Sequence, residues 1–380
     1  MRRSTPYIRE RPTWPTFSWD ADALATPLAA ARHSQGRLLG RIESLDFELR
    51  AEASLSVLTS DVVKSSAIEG EVLNPQEVRS SIARRLGIDA AGLPRASREV
   101  EGVVEMMLDA TCRFAAPLSR ERLFGWHASL FPTGRSGMHR ITVGAWRTKE
   151  SGAMQVISGP LGREKVHFEA PAADRLEAEM ARFIDWFNTP SATDPELDPV
   201  IRAGIAHFWF VTIHPFADGN GRIARAIADM ALARADGTMD RFYSMSSQIE
   251  AERKDYYAKL EAAQRADTDI TRWLTWFLAC FGRAVDNAQE TLGAVLHKSR
   301  LWSQINRRPV NERQRLVINR LLDGFKGVLS TSKYAKLAKC STDTALRDIR
   351  ELLDRGILIQ NPGKGRSTSY RLAQPESIQA

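Results

Sequence analysis

The stretch His214-Pro-Phe-Ala-Asp-Gly-Asn-Gly-Arg-Ile-Ala-Arg225 decides which fold and which chemistry to expect of this chain. The apolar run before it, residues 200–213, predicts a buried helix. Pro215 should end that helix, because proline lacks an N–H and disfavours the α conformation of the residue before it. Residues 218–221 then form a tight turn, and a helical pattern resumes at Arg222. A glycine-rich turn that opens a helix presents free backbone N–H groups and the positive end of the helix dipole to an anion.

The side chains of this turn suit a phosphate. Gly219 and Gly221 let the backbone approach phosphate oxygens and adopt a positive φ without a Cβ clash. Asn220 tolerates left-handed geometry and can brace the loop with its amide. Arg222 and Arg225 are three residues apart, so both reach the same end of the new helix and can bind phosphate oxygens.

Two further side chains of the stretch bring reactivity. Asp218 offers a hard oxygen ligand of the kind that suits Mg²⁺ shared with phosphates. His214 is the side chain here whose ordinary pKa lets it accept a proton near neutral pH. A lone Gly-Asn-Gly turn or a lone histidine is usually structural. The joint occurrence of seven polar and glycine positions at fixed spacing favours a site.

Together these residues fit the pattern HxFx(D/E)GNGRxxR, and on them the chain resembles the Fic family of nucleotidyl transferases. The resemblance implies transfer of AMP from Mg²⁺-bound ATP to a Ser, Thr or Tyr hydroxyl of a target protein. It implies that His214 is the general base and that Asp218 holds the Mg²⁺. It also implies that residues 219–221 bind the phosphates of ATP, which Arg222 and Arg225 neutralise. The motif reads Gly-Asn-Gly-Arg and not Gly-Asn-Lys-Arg, which disfavours the Doc-type relatives that act as kinases.

A second motif consists of Ser65, Glu69 and Gly70. Read alone, it is a helix C-terminus with a glycine in the left-handed region as its cap. Its spacing also matches (S/T)xxxE(G/N), the inhibitory helix of Fic proteins. The resemblance implies that Glu69 pairs with Arg225 and blocks the γ-phosphate, since a carboxylate can occupy an anion pocket. We therefore expect a self-inhibited protein whose inhibitory helix precedes the Fic core.

A hairpin is predicted ahead of the main motif. A turn at Gly152 separates residues 146–148 from residues 154–158, and a second short strand is expected at 165–168. In Fic proteins a hairpin at this place is the flap, which docks the target by strand addition. A surface hairpin without a partner is the alternative. The predicted flap residues are Val156, Ile157, Ser158 and Gly159.

A predicted helix at 249–264 contains a Tyr-Tyr pair at 256 and 257. By itself the pair indicates core packing. In Fic proteins with the pattern Tyr-Tyr-x-x-Leu-Glu, the second tyrosine and a polar residue seven positions on line the nucleobase pocket. The resemblance implies that Tyr257 and Gln264 bind ATP in this way. Asparagine is common at the second position, so the glutamine departs from the family pattern.

The composition limits the number of domains and the classes of protein to which the chain can belong. The chain has 380 residues, enough for two or three domains and a sizeable core. No apolar run approaches the ~20 residues that span a bilayer, and the N-terminus lacks the apolar segment of a signal peptide. Three scattered cysteines without a CxxC pair fit a reducing compartment and argue against zinc and disulfides. We expect a cytoplasmic protein without membrane contact.

The net charge of +7 is concentrated near the C-terminus. From Ile305 onward, fifteen Lys and Arg face seven Asp and Glu, a surplus of eight positive charges, so residues 1–304 sum to −1. Such asymmetry suggests a polyanion partner for the tail. The helix and strand pattern over 311–373 resembles a winged helix, with strands at 357–360 and 368–372 and a basic wing tip at 362–366. DNA, a protein and a second copy remain open as partners, because acidic residues interrupt the basic ones along the recognition helix.

The remaining elements are helical. Helices are predicted at residues 21–67, 76–87, 97–130, 172–188 and 271–304. The last of these carries a heptad seam, which burial against the core explains; a homodimer contact is the alternative. We expect a mainly α protein with an N-terminal helical and inhibitory region at 1–95, a Fic core with a β-hairpin flap at 96–304, and a winged-helix domain at 311–373.

Three functional hypotheses follow. The first is a self-inhibited protein adenylyltransferase that uses Mg²⁺ and ATP and docks its target on the flap. The second uses the same site to remove AMP, with Glu69 positioning a water molecule. The third belongs to another class: a DNA-binding transcriptional regulator whose Fic site senses a nucleotide.

Overall fold

The computed structural model describes residues 6–88, 93–159, 163, 165–189, 197–305, 308, 310–322, 325, 327–362 and 368–373. The chain divides into two units, Met1–Gln289 and Glu290–Ala380. Both are built mainly from helices. Within the described part, no helix is long and apolar enough to cross a membrane.

The first unit consists of helices with short hairpins between them. Its helices are α1 Ala21–Glu43, α2 Phe47–Ile68, α3 Pro75–Arg85, α4 Arg98–Cys112, α5 Arg120–Leu130, α6 Leu176–Asn188, α7 Pro199–Ile213, α8 Asn220–Asp236, α9 Met245–Ala251, α10 Arg253–Gln264 and the start of α11 Thr271–Ile305. Its strands are β1 Arg135–Ser136, β2 His139–Arg140, β3 Gln155–Ser158 and β4 Lys165–Glu169.

Three of the helices expected from the sequence are each divided in two. The one predicted over 249–264 ends as α9 at Ala251 and restarts as α10 at Arg253. The predicted helix over 21–67 stops at Glu43 and restarts as α2, because Asp46 takes the N-cap position and its carboxylate accepts from the Leu49 N–H at 2.9 Å. The predicted helix over 97–130 is likewise α4 and α5. Here Ser119 caps the second helix by accepting from the Arg122 N–H at 3.1 Å.

Helix α7 forms the centre of the first unit. All its residues after Pro199 are buried, and it packs along α8. Helix α11 covers another side of α7, where the Trp273 indole N–H donates to the Gly204 carbonyl at 2.9 Å. The positions of the heptad seam in this unit are buried within the single chain, so they offer no free face to a second copy; they include Leu274, Leu278, Phe281 and Val285.

The N-terminal helices pack onto this centre. Helix α2 contacts α8 and α9, and α3 contacts α4, so residues up to 88 lie in the same unit as the main motif. The aromatic segment before α1 packs on α7: Trp14 and Phe17 both make edge contacts with Trp209. The Trp14 indole N–H also donates to Glu179, at 3.0 Å.

The hairpin differs from the prediction. Strand β3 pairs with β4, in the register Val156↔Phe168 and Ser158↔Lys165, and not with residues 146–148. The predicted pairing across Gly152 was wrong, because Gly152 closes a short 3-10 turn at Lys149–Ser151. Of the four predicted flap residues, three lie on β3 and Gly159 follows it.

The second unit contains α12 Glu312–Leu322, α13 Thr331–Ala338, α14 Thr342–Asp354, β5 Leu358–Gln360 and β6 Tyr370–Leu372. The two strands are antiparallel, and Leu329 adds a bridge to Tyr370. Their apolar side chains form one core with those of the three helices; it includes Val317, Tyr334, Ile349, Leu352 and Leu358. This is the order of elements expected of a winged helix. The predicted wing tip, apart from Pro362, lies outside the described residues.

Packing between α4 and α5 depends on Gly102, and this yields a prediction. A Cβ at Gly102 would overlap the backbone carbonyl of Ser129, which cannot move like a flexible side chain. Gly102→Ala should therefore lower the free energy of unfolding by about 1–3 kcal/mol, measured by urea denaturation.

Gly125→Ala is the matched control, because Gly125 is on the exposed side of α5 and a Cβ there meets nothing within 4 Å. It should raise the free energy of unfolding, by up to about 1 kcal/mol. Equal effects of the two variants would contradict the close contact between α4 and α5.

Candidate active site

His214 stands at the end of α7 in a strained conformation. Its φ of 52° and ψ of 59° place it in the left-handed region, which is uncommon for a residue with a side chain. Its Nδ1 lies 3.1 Å from the Val211 carbonyl oxygen. A carbonyl can only accept, so Nδ1 carries the proton and Nε2 keeps a free lone pair. Burial lowers the pKa of His214 to about 4, so the ring is neutral at pH 7.

Arg147 holds the backbone of the same turn. Its Nε donates to the His214 carbonyl at 2.9 Å, its guanidinium also donates to the Pro171 carbonyl, and its backbone N–H donates to the Pro215 carbonyl at 2.9 Å. Burial lowers the pKa of Arg147 to about 10. These bonds explain why residues 146–148 do not join the hairpin. The sequence offered no signal for this role, because the residue is distant from the motif along the chain.

Asn220 braces the turn that follows. Its Oδ1 accepts from the Phe216 N–H and its Nδ2 donates to the Phe216 carbonyl, both at 2.9 Å. The amide is therefore committed to the loop, as its predicted bracing role requires. Gly219 has a φ of 79°, and a Cβ there would be 2.9 Å from the Phe131 ring. Helix α8 starts at Asn220 without a side-chain cap in the described part of the chain, which leaves N–H groups of its first turn for an anion.

Asp218 lies at the mouth of the turn, partly exposed. Its Oδ1 accepts from the Gly219 N–H at 2.6 Å, and its Oδ2 accepts from the Ser136 hydroxyl. In the part of the chain that is described, no group of three or more His, Cys, Asp and Glu side chains could hold a metal. One carboxylate beside an anion site fits Mg²⁺ that is shared with phosphates, because Mg²⁺ takes one or two carboxylates and keeps its other positions for phosphates and water.

Arg225 is buried and bound to the second motif. Its Nε donates to the Ser65 hydroxyl at 2.9 Å, and its Nη2 donates to the Ser65 carbonyl at 2.8 Å and to Glu69 Oε1 at 2.9 Å. A Cβ at Gly221 would overlap the Glu69 carboxylate. This carboxylate thus lies against the first turn of α8, where a phosphate was expected. The structure brings Ser65, Glu69 and Arg225 together, and the contact of Glu69 with Arg225 is the one that the resemblance implies.

Arg222 has an acidic partner that sequence reasoning missed. Its Nη1 lies 2.6 Å from Glu71 Oε2, and its guanidinium stacks on the Phe131 ring at 5.1 Å. Burial raises the pKa of Glu71, and Arg222 opposes that shift. Gly70, with a φ of 86°, turns the chain between Glu69 and Glu71 so that each carboxylate reaches one motif arginine. The sequence did contain a signal for this second pair. Glu69 and Glu71 are two residues apart, as a match for two motif arginines that are three residues apart.

The predicted nucleobase residues lie at different depths. Tyr257 is 37% exposed, and its hydroxyl lies 3.5 Å from the Ile68 carbonyl at the end of α2. Gln264 is buried, and its amide donates to the Thr212 hydroxyl at 3.3 Å. Tyr256 belongs to the buried core. Its hydroxyl lies 3.0 Å from Nε2 of His207, which is also buried. Tyr257 therefore borders the second motif, whereas Gln264 is bonded to the end of α7.

The hairpin is anchored on α10, the helix that carries Tyr257. His167 of β4 lies between two partners: its Nδ1 is 2.6 Å from Glu261 Oε2, and its Nε2 is 2.6 Å from the Ser158 hydroxyl. Arg265 adds bonds to the carbonyls of Val166 and His167. Because β3 pairs only with β4 among the described residues, its other edge is open. An extended peptide can add to such an edge.

The region that contains this turn matches known proteins. Residues 117–232 match the family model described as Fic/DOC family, and residues 7–88 match a domain of unknown function, DUF4172. Protein adenylyltransferase fic-1 of Caenorhabditis briggsae is 30% identical over 208 residues, which cover 54% of this chain and 36% of that protein. Protein adenylyltransferase Fic of Nematostella vectensis is 36% identical over 119 residues, which cover 30% and 25%. The chain thus spans about a third or less of the length of these relatives.

Solved structures support the fold. A Fic family protein from Desulfovibrio desulfuricans G20 aligns with a TM-score of 0.54 and 22% identity, covering 94% of this chain and 97% of that one. A Fic domain containing signaling protein from Bacteroides thetaiotaomicron aligns with a TM-score of 0.52 and 20% identity, covering 70% and 97%. The chain therefore has the Fic fold, carries a Fic/DOC family domain preceded by a DUF4172 domain, and is distantly related to the Fic protein adenylyltransferases.

Proposed function

We propose that this protein transfers AMP from Mg²⁺-bound ATP to a Ser, Thr or Tyr hydroxyl of a target protein, and that it inhibits itself. One observation carries the proposal: a neutral imidazole, an uncapped helix N-terminus and two buried arginines converge on one turn, residues 214–225. The distant relatives named as protein adenylyltransferases support the same reaction.

His214 supplies the base in this mechanism. Its Nδ1–H is held by Val211, so its Nε2 accepts the proton of the target hydroxyl. The hydroxyl oxygen forms a bond to the α-phosphorus of ATP, the bond from that phosphorus to the bridging oxygen breaks, and pyrophosphate leaves. The chain contributes mainly position and charge stabilisation to this displacement.

Other residues hold the two substrates. Asp218 would hold Mg²⁺, which offsets the negative charge of the phosphates. The backbone of residues 219–221 binds the phosphates, while Tyr257 and Gln264 border the base. The target's extended segment would add to the open edge of β3 and present its hydroxyl to His214.

Self-inhibition follows from competition for the same donors. Glu69 occupies Arg225 and the first turn of α8, and Glu71 occupies Arg222. A carboxylate and a phosphate oxygen cannot take the same N–H groups at once. Productive binding of ATP therefore requires both carboxylates to move.

The first prediction concerns Glu69 and His214. Glu69→Gly should raise transfer of ³²P from α-labelled ATP by about 5- to 150-fold, the usual range of a coupling between two sites. Adding His214→Ala should lower that rate by about 10²–10⁴-fold, because the proton acceptor is lost.

Glu105→Gly is the control, since Glu105 is an exposed residue of α4 away from both motifs. Label transfer that persists without His214 would refute the assigned base. If wild type but not Glu69→Gly releases AMP from a pre-modified target, the AMP-removing alternative is the correct one.

The second prediction concerns Glu71, for which no role was predicted from the sequence. Glu71→Gln should lower the Kd of Mg²⁺-bound ATP by about two- to fivefold, measured by calorimetry. The effect is modest because the Glu71 side chain is 45% exposed and solvent screens its charge. Combined with Glu69→Gln, it should give tighter binding than either single change.

Glu99→Gln provides the matched control. Glu99 lines the same groove of about 280 Å³ as Glu71 and Arg222, but no bond joins it to either motif arginine in the described structure. If Glu99→Gln and Glu71→Gln change the Kd equally, general electrostatics and not the Glu71–Arg222 pair explains the effect.

The third prediction concerns the protonation of His214 in the free protein. Because burial lowers its pKa to about 4, the neutral, proton-accepting form is populated at every pH above that value and is lost as the pH falls through it. An NMR titration of the imidazole, assigned by its absence in His214→Ala, should show no change between about pH 8 and 5.5. The urea-unfolded chain is the control and should titrate near ~6.5. A midpoint near 6.5 in the folded protein would contradict the buried, neutral ring.

A further inference from the structure

Helices α13 and α14 of the second unit meet at a short turn, residues 339–341. Lys339 is left-handed there, with a φ of 49°, and the Ser341 hydroxyl caps α14 by accepting from the Thr344 N–H at 3.2 Å. Tyr334 is fully buried beneath the turn. The geometry is that of a helix-turn-helix, in which the second helix enters a groove of duplex DNA and the first crosses its backbone.

Two of the four acidic residues of α14, Asp348 and Glu351, are bound within the unit. Asp348 is 5% exposed, and it accepts from Arg313 at 2.9 Å and 3.1 Å and from the hydroxyl of Tyr334 at 3.2 Å. Glu351 accepts from the Gln314 amide at 2.9 Å and lies 3.7 Å from Arg355. In the structure Asp348 is buried within the unit, whereas Glu351 stays exposed beside Arg355.

Two basic residues of the same helix are exposed. Arg347 and Arg350 of α14 are exposed, and within the described part of the chain neither forms an ion pair. Lys336 of α13 and Lys339 of the turn are exposed as well. The remaining exposed carboxylates of α14, other than Glu351, stand at its two ends, at Asp343 and Asp354.

We propose that the second unit binds duplex DNA through this basic surface, defined as Lys336, Lys339, Arg347 and Arg350. The charge sign matches a phosphate backbone, whose neutralisation releases counterions. Arginines three residues apart on a helix can reach the guanine edge in the major groove. A protein partner is disfavoured, because none of the exposed large apolar side chains in the described structure lies on α13 or α14. This activity is separate from the proposed AMP transfer.

The test uses the full chain and a fluorescein-labelled duplex of about 24 base pairs with mixed sequence, by anisotropy, from about 50 to 200 mM salt. Wild type should bind with an affinity that falls linearly with salt on logarithmic axes. Arg347→Ala/Arg350→Ala should weaken binding by about tenfold or more. Lys336→Gln/Lys339→Asn should reduce the salt slope by about two, at ~0.9 per phosphate contact. Asparagine is chosen at 339 because it tolerates the left-handed region.

The matched control removes two positive charges from the first unit: Lys254→Ala/Arg272→Ala, both exposed. It should leave DNA binding unchanged. No binding at the lowest salt would overturn the proposal, and so would equal losses in the control and helix variants. Full displacement by poly-glutamate with intact affinity in the helix variants would indicate general polyanion adhesion and would also overturn it. AMP transfer by the same variants should stay at the wild-type level, so failure here leaves the proposed reaction standing.

Discussion

A buried guanidinium needs an anion, and the site of this protein is arranged around that need. Arg225 is 1% exposed, so it is largely cut off from water, and an unpaired charge there would strongly destabilise the fold. Ser65 and Glu69 satisfy it in the structure. A phosphate can replace the carboxylate only by offering an equal charge to the same N–H groups. In the proposed mechanism, the constraint that stabilises this arrangement also favours a polyphosphate as the ligand.

The local parts of this arrangement were predictable from the sequence, and the reason is physical. The turn at residues 218–221 depends on glycine conformation and on the amide of Asn220, and both act over a few residues. The pairing of Glu69 with Arg225 was predicted from the spacing of two separate motifs through the family resemblance. The division of the helix predicted over 21–67 was missed, because the helical pattern continues on both sides of the break. The break is made by a single residue, Asp46, which caps a new helix.

Contacts between residues that are distant in the sequence could not be predicted. Residues 146–148 have the composition of a strand, yet Arg147 is bound to the carbonyl of His214, so β3 pairs with β4. No pattern in the sequence around Arg147 predicts its bond to the His214 carbonyl. The different environments of Asp348 and Arg347 on α14 could not be predicted for a similar reason. The two residues are neighbours in sequence, but Asp348 is bound by Arg313 and Arg347 is exposed to solvent.

The amide bonds of Asn220 have a further consequence. Since these bonds lie within the turn itself, the proposed nucleotide would have little chain to order when it binds. In the proposed mechanism, the two glutamates then behave as a tethered competitor, whose local concentration is set by the short connection through Gly70. The fraction of sites occupied by ATP then depends on the concentration of free ATP relative to the effective concentration of the tethered glutamates. The tethered competitor therefore raises the ATP concentration at which the site is half occupied.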